Sequence, residues 1–167
     1  MTATVRMLRL LAAALLMAAL SVSVAAPVVA QDDDAILDEM IALEQSKLDS
    51  WFQNDVSAYV AEIGDDTTYF DPNMGEKLTG EEVREFFSTI YAGNIPPIDY
   101  VLTDPSVAVR GDIVVFTFHI DMSDPTSGDP LGRWMVSKIL ERTDDGWGVI
   151  HGHFGLPAPP AAEAPVE

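Results

Sequence analysis

The sequence predicts one α+β domain, helical in its first half and built of antiparallel strands in its second. Three observations carry this prediction. Apolar residues recur at three- and four-residue spacing through most of residues 36–91, the period falls to two from Pro97 onward, and the breaks between the later segments are rich in Gly, Pro and Asp.

The first helix opens at Asp32 to Asp34, where negative charge favours a helix N-terminus, and carries Ile36, Leu37, Met40, Ile41, Leu48, Trp51 and Phe52 on one face. Asn54-Asp55 interrupts it. Asp55 can cap a short second helix through Val56, Tyr59, Val60 and Ile63, with Gly64 as its left-handed stop. Thr67 to Phe70 is β-prone, and Pro72 to Gly75 turns the chain. Thr79-Gly80-Glu81-Glu82 then reads as a capping box for a third helix, whose buried stripe is Val83, Phe86, Phe87, Ile90 and Tyr91 and which ends at Gly93.

Strands are expected near Ile98 to Thr103, Ile113 to Asp121, Arg133 to Arg142 and Trp147 to Phe154. Turns separate them at Asp104-Pro105 with Arg110-Gly111-Asp112, at Ser123 to Gly132, and at Thr143 to Gly146, so the last three strands should form an antiparallel meander. Residues 157–167 are Pro, Ala and Glu with one Val, a composition expected of a disordered tail.

Residues 1–30 read as a secretory signal peptide. Arg6 and Arg9 form a basic start, Leu10 to Leu20 is apolar, and Val28-Val29-Ala30 supplies the small residues that precede a cut before Gln31; Val24-Ala25-Ala26 offers a second cut. The run is too short to cross a bilayer comfortably, which takes about 20 apolar residues, so an uncleaved anchor is the weaker alternative. The folded domain is then residues 31–156, exported to a periplasmic or extracellular space. Cleavage takes Arg6 and Arg9 and leaves seven basic residues against 27 acidic ones, a net charge of −20. Such a surface repels phosphate backbones and anionic lipid, which argues against nucleic-acid and membrane partners for the mature chain. With no cysteine, the fold has no disulfide, thiolate nucleophile or thiolate metal site.

Several stretches carry a family resemblance: Asp65-Asp66-Thr67-Thr68-Tyr69-Phe70-Asp71-Pro72, Leu78-Thr79-Gly80 leading into a helix, and Asp145-Gly146-Trp147-Gly148-Val149-Ile150-His151-Gly152-His153-Phe154. In these and in element order, residues 35–157 resemble the nuclear transport factor 2-like superfamily, including its SnoaL-like and ketosteroid isomerase-like members. The final segment is most similar to the association domain of calcium/calmodulin-dependent protein kinase. The resemblance implies a cone-shaped, curved antiparallel sheet covered by three N-terminal helices. It says less of function, since the superfamily hosts isomerases, dehydratases, cyclases, binders and oligomerisation modules.

Resemblance to the ketosteroid isomerases implies that Asp71, in its Asp-Pro at the end of the first strand, stands where a proton-shuttling base would be. A carboxylate at the mouth of an apolar cone is suited to moving a proton next to a carbonyl. That chemistry also needs donors aimed at an enolate oxygen. By alignment the tyrosine donor falls at Lys47, on a helix face expected to meet solvent, and the protonated acid falls within Arg133 to Ser137, which holds no carboxylate. The alternative role for Asp71 is as the first residue of a turn, accepting backbone hydrogen bonds before Pro72.

Resemblance to the kinase association domain implies that Lys138 and Phe154 occupy cavity-lining positions, with Trp134 and Val136 on the same face and with His151 and His153 outward, toward a sheet-mediated homodimer. Strand alternation puts Trp147, Val149, His151 and His153 on one side and Gly148, Ile150, Gly152 and Phe154 on the other, an assignment that a bulge would reverse. His151 and His153 lie about 7 Å apart along one strand, and His119 about 9–10 Å sideways. Zinc needs its nitrogens at about 2.0–2.1 Å, so no metal site and no cofactor is expected.

Three functions follow from these readings. The favoured one is an exported domain binding a small apolar molecule in a cavity lined by Tyr69, Phe87, Trp134, Lys138 and Phe154, with Lys138 placed to meet a carboxylate or carbonyl. The second is an isomerase, dehydratase or cyclase with Asp71 as base, and whether the chain is an enzyme stays open. The third is a self-association module.

Overall fold

A computed structural model of the chain describes residues 32–157. The expected leader at residues 1–30 and the expected tail beyond Pro157 lie outside the described residues.

Helix α1 (Asp33–Trp51) begins where the Asp32 side chain accepts a hydrogen bond from the Asp34 backbone N–H. Its buried stripe is Ile36, Met40, Glu44, Leu48 and Trp51, a near-perfect i, i+4 row with one acid in the middle. Asn54 turns the chain in the left-handed region at φ 67°, and its side-chain amide brackets Ile95, accepting from Ile95 N at 2.8 Å and donating to Ile95 O at 3.0 Å. Helix α2 (Ser57–Ala61) starts with Asp55 Oδ1 accepting from Ser57 N at 2.9 Å. Gly64 does not stop it. Glu62 closes the helix, and Gly64 is already inside strand β1 (Ile63–Phe70), which starts four residues earlier than expected because it pairs in parallel with the last strand from Ile63.

Strand β2 (Leu78–Thr79) leads into helix α3 (Gly80–Phe86), where the expected capping box is present: the Thr79 backbone N–H donates to Glu82 Oε2 at 2.8 Å, and the Thr79 hydroxyl donates to the same oxygen at 2.7 Å. Gly80 is required here, since a Cβ would sit 2.2 Å from the Gly64 carbonyl oxygen. The helix continues as a π-helical turn (Phe87–Tyr91), and the wider winding rotates Ile90 out of the expected stripe, leaving it 54% exposed.

Strands β3 (Asp99–Arg110), β4 (Ile113–Ser123), β5 (Pro130–Thr143) and β6 (Gly146–Gly155) form an antiparallel meander, and the sheet order is β2-β1-β6-β5-β4-β3. Among the described residues this is one curved, open, six-stranded sheet with helices on its N-terminal side, an α+β fold of the cone type. Two bulges depart from expectation. Asp104-Pro105 is not a turn: β3 runs through it with a register shift between Thr103 and Ser106, Asp104 taking φ 52° and Pro105 having no N–H to give the ladder. In β6, Ile139 pairs with His151 but Leu140 pairs with Val149, so Ile150 is the extra residue. Val149 therefore faces the core and Ile150 is exposed, reversing the expected sides for that pair, while Gly152 and Phe154 stay inward and His151 and His153 outward.

The core lies between helices and sheet: Val114, Phe116, Phe118 and Ile120 of β4 and Val136 and Leu140 of β5 meet the α1 stripe and Val83.

Candidate functional site

At one end of this core the aromatic residues leave a recess. Trp51 comes from the last turn of α1, Tyr59 from α2, Tyr69 and Asp71 from the end of β1, Phe87 and Tyr91 from the two ends of the π-turn. Trp134 of β5 and Phe154 of β6 close the sheet side, with Leu48 and Pro72 completing the wall. The rings brace one another: Trp51 to Tyr91 at 4.8 Å, Tyr69 to Phe87 at 5.3 Å in an edge-on arrangement, and Trp134 to Phe154 at 5.9 Å, also edge-on. Gly152 makes room for this, because a Cβ there would lie 2.7 Å from the Tyr69 ring. The space open to the centre of a water-sized group is about 20 Å³, and the empty space of the recess, its open mouth included, is about 380 Å³.

The polar groups gather at one side. Asp71 is 8% exposed; its Oδ1 accepts from Asn73 N at 2.8 Å and its backbone carbonyl accepts from Met74 N at 3.0 Å. This is the turn role, present in full. Among the described residues no Lys, Arg or His nitrogen pairs with the Asp71 carboxylate. The Tyr91 phenol oxygen accepts from Asn73 Nδ2 at 3.4 Å, and burial, followed by the nearby Asp71 carboxylate, raises the phenol's pKa above the usual tyrosine value. Burial, then Asp71 and Tyr91, push Tyr69 well above it.

Behind the recess lies a second, largely buried polar layer. The Tyr59 phenol donates to Glu44 Oε1 at 2.7 Å, and Lys138 Nζ donates to Glu44 Oε2 at 2.8 Å and to Glu62 Oε1 at 3.0 Å. Lys47 pairs with Glu62 and lies 3.6 Å from Glu44. Desolvation alone would raise Glu44, yet Lys138 and Lys47 outweigh it and hold the carboxyl below its ordinary value. Likewise desolvation would lower Lys138, but Glu44 and Glu62 bring the net shift upward. Both charges are therefore kept.

The structure thus brings Asp71, Tyr69, Phe87, Trp134 and Phe154 together around one recess. Lys138 is not with them. It sits behind Tyr59, its ammonium 4.7 Å from that ring's centroid and engaged by two carboxylates, so it has no free charge for a ligand's carboxylate. Lys47 also departs from expectation: its side chain is only 14% exposed because Glu62 draws it inward. Sequence reasoning missed Tyr59, Tyr91 and Glu44. For Glu44 a signal existed, since it stands four residues from both Met40 and Leu48 in the buried row.

On the other sheet face, His151 Nδ1 lies 2.8 Å from the Thr68 hydroxyl, and Phe70 sits edge-on to His151 and His153, each at 5.8 Å. His119 Nδ1 is 3.9 Å from Asp104 Oδ2. Among the described residues no three His, Cys, Asp or Glu side chains are grouped to hold a metal ion.

A family model described as the SnoaL-like domain matches residues 45–159, more than half of the chain. The chain belongs to the SnoaL-like domain family. This SnoaL-like domain matches no curated protein. It is similar in structure to a candidate ketosteroid isomerase from Parabacteroides distasonis ATCC 8503, with 28% identity, a TM-score of 0.61, and coverage of 74% of this chain and 89% of that one. It is also similar to an NTF2-like protein of unknown function from Pseudomonas putida KT2440, with 17% identity, a TM-score of 0.65 and coverage of 80% and 94%. The association domain of C. elegans CaMKII matches with 19% identity, a TM-score of 0.62 and coverage of 74% and 97%. At these last two identities the likeness is one of fold.

Proposed function

We propose that this SnoaL-like domain is exported and binds a small, mostly apolar molecule in the aromatic recess, with Asp71 rather than Lys138 as the polar anchor. The observation that carries this reading is the nearly buried Asp71 carboxylate set among aromatic walls. A concave, apolar site with a few convergent polar groups is the usual form of a small-molecule site. The space open to a water-sized group is narrow, so a small group of the ligand enters the recess and its bulk rests in the open mouth. The test is tryptophan fluorescence of the purified chain titrated with small aromatic and alicyclic compounds, since Trp51 and Trp134 are both wall residues. Saturable quenching that is lost in Trp134→Ala supports the reading. No saturable change with any compound overturns it.

A second reading has one observation in its favour: the phenols of Tyr69 and Tyr91 lie in the same recess as Asp71, supplying the donors that the sequence alignment did not. Asp71 would then act as a base beside a carbonyl held by a phenol. The likeness at 28% identity to a candidate ketosteroid isomerase supports this without naming a substrate. Isomerisation of a β,γ-unsaturated ketone by the wild type, abolished in Asp71→Asn with the fold intact, is the result that would favour it over binding alone.

A further inference from the structure

We infer that the recess takes the ammonium head of a small primary amine, with Asp71 as its counter-charge and Trp51, Tyr91 and Trp134 as its aromatic walls. This rests on the reading of the recess as a ligand site and narrows the ligand's chemical class.

The first reason is charge. Asp71 is 8% exposed and, among the described residues, has no basic partner. A carboxylate withdrawn from water and left unpaired is costly, and a cation removes that cost. The two lysines of the layer behind Tyr59 do not supply one. Lys138 and Lys47 are matched by Glu44 and Glu62, two charges against two, so the layer behind Tyr59 is electroneutral and the recess carries the charge of Asp71 alone. An anionic ligand would meet that carboxylate with no base to receive it.

The second reason is the walls. Trp51, Trp134, Tyr69, Tyr91, Phe87 and Phe154 surround the recess, and the faces of such rings attract a cation, tryptophan most strongly. Neutral apolar ligands gain nothing from that field. The net charge of −18 on the whole chain adds a long-range pull on cations.

The third reason is size and hydrogen bonding. The space open to the centre of a water-sized group is narrow, about 20 Å³, which favours a compact –NH₃⁺ head over a bulkier trimethylammonium head. A carboxylate offers about four acceptor sites. Asn73 N occupies one at Asp71, which leaves the others for an ammonium's N–H groups. The rest of the amine lies in the mouth.

The experiment is calorimetric titration of the purified chain at pH 7 with benzylamine, benzyl alcohol and benzoate, three ligands of one shape and different charge. Benzylammonium should bind about tenfold more tightly than benzyl alcohol, and benzoate most weakly. In Asp71→Asn, which keeps an acceptor for the turn, the advantage of the amine over the alcohol should vanish. Equal or tighter binding of the alcohol or of benzoate to the wild type overturns the amine assignment while leaving the recess a ligand site. No binding by any of the three overturns both readings. The wild-type ratio decides the matter even where Asp71→Asn fails to fold.

Discussion

Tyr59 joins two layers of this molecule: its ring walls the recess, and its phenol donates to Glu44 at 2.7 Å, the centre of the buried charge network. The shape of the site therefore depends on charges that no ligand touches. Removing one partner of a buried pair leaves the other uncompensated, typically at about 3–5 kcal/mol, whereas replacing both by apolar groups costs far less. Lys138→Met alone should thus destabilise the domain by about that amount. Glu44→Leu with Lys138→Met should lose less, since Lys47 and Glu62 still pair. Urea unfolding of the three proteins checks this, and a double variant less stable than Lys138→Met would contradict it.

Acid should unfold the domain partly through the same network. The folded Glu44 carboxyl titrates below its ordinary value of 4.5, so the folded state releases its proton more readily than the unfolded chain does. The resulting stability is present in full above that value and is lost as pH falls below it and through the lower folded value. Asp55, Glu82, Asp121 and Asp124 shift in the same direction. Glu44's share is isolated by comparing wild type with Glu44→Gln: the melting temperature of the wild type should fall more steeply below about pH 4.5. Parallel curves would show that Glu44 contributes nothing to the acid limb.

Gly152 should resist even the smallest side chain. An alanine Cβ there would lie 2.7 Å from the Tyr69 ring, itself wedged against Phe87 and Phe154, whereas at Gly148 the nearest atom is the Thr143 methyl at an ordinary 3.5 Å. Gly152→Ala is expected to cost about 1–3 kcal/mol as an overpacking change, and Gly148→Ala distinctly less. Thermal denaturation of both variants is the measurement, and equal losses would mean that Tyr69 moves aside freely.

Among the described residues the helices cover one face of the sheet, and the other exposes Phe70 at 43% and Met135 at 41% beside His151 and His153. A homodimer through this face is the proposal that follows, and the likeness to the CaMKII association domain makes such pairing reasonable. Sedimentation equilibrium should show a dimer at tens of micromolar chain, converted to monomer by Phe70→Glu with Met135→Glu. A monomeric wild type would remove the proposal.

The proposed export has its own readout. Chain recovered from outside the cytoplasm should begin at Gln31, as N-terminal sequencing would record. Recovery of an intact Met1 chain from membranes would contradict the assignment of residues 1–30 as a cleaved leader.

By itself the sequence determined what depends on near neighbours. The Thr79–Glu82 capping box, the Asp55 cap on α2, the α1 stripe, the Asp71-Pro72 turn and the last three strands of the meander each rest on residues a few positions apart, where hydrogen-bond and side-chain periodicity fix the outcome. The tertiary structure alone decided what lies between distant segments. Glu44 and Lys138, 94 residues apart, consume each other's charge and so withdraw Lys138 from the recess, and a single extra residue at Ile150 changes which side chains reach the core. The parallel pairing of β1 with β6 carries Tyr69 over Gly152 and sets Asp71 among rings from α1, the π-turn, β5 and β6. Local propensity has no term for such meetings. They follow from which surfaces the chain must bury together, and the competition of desolvation with pairing then decides which of the assembled charges stays free for a ligand.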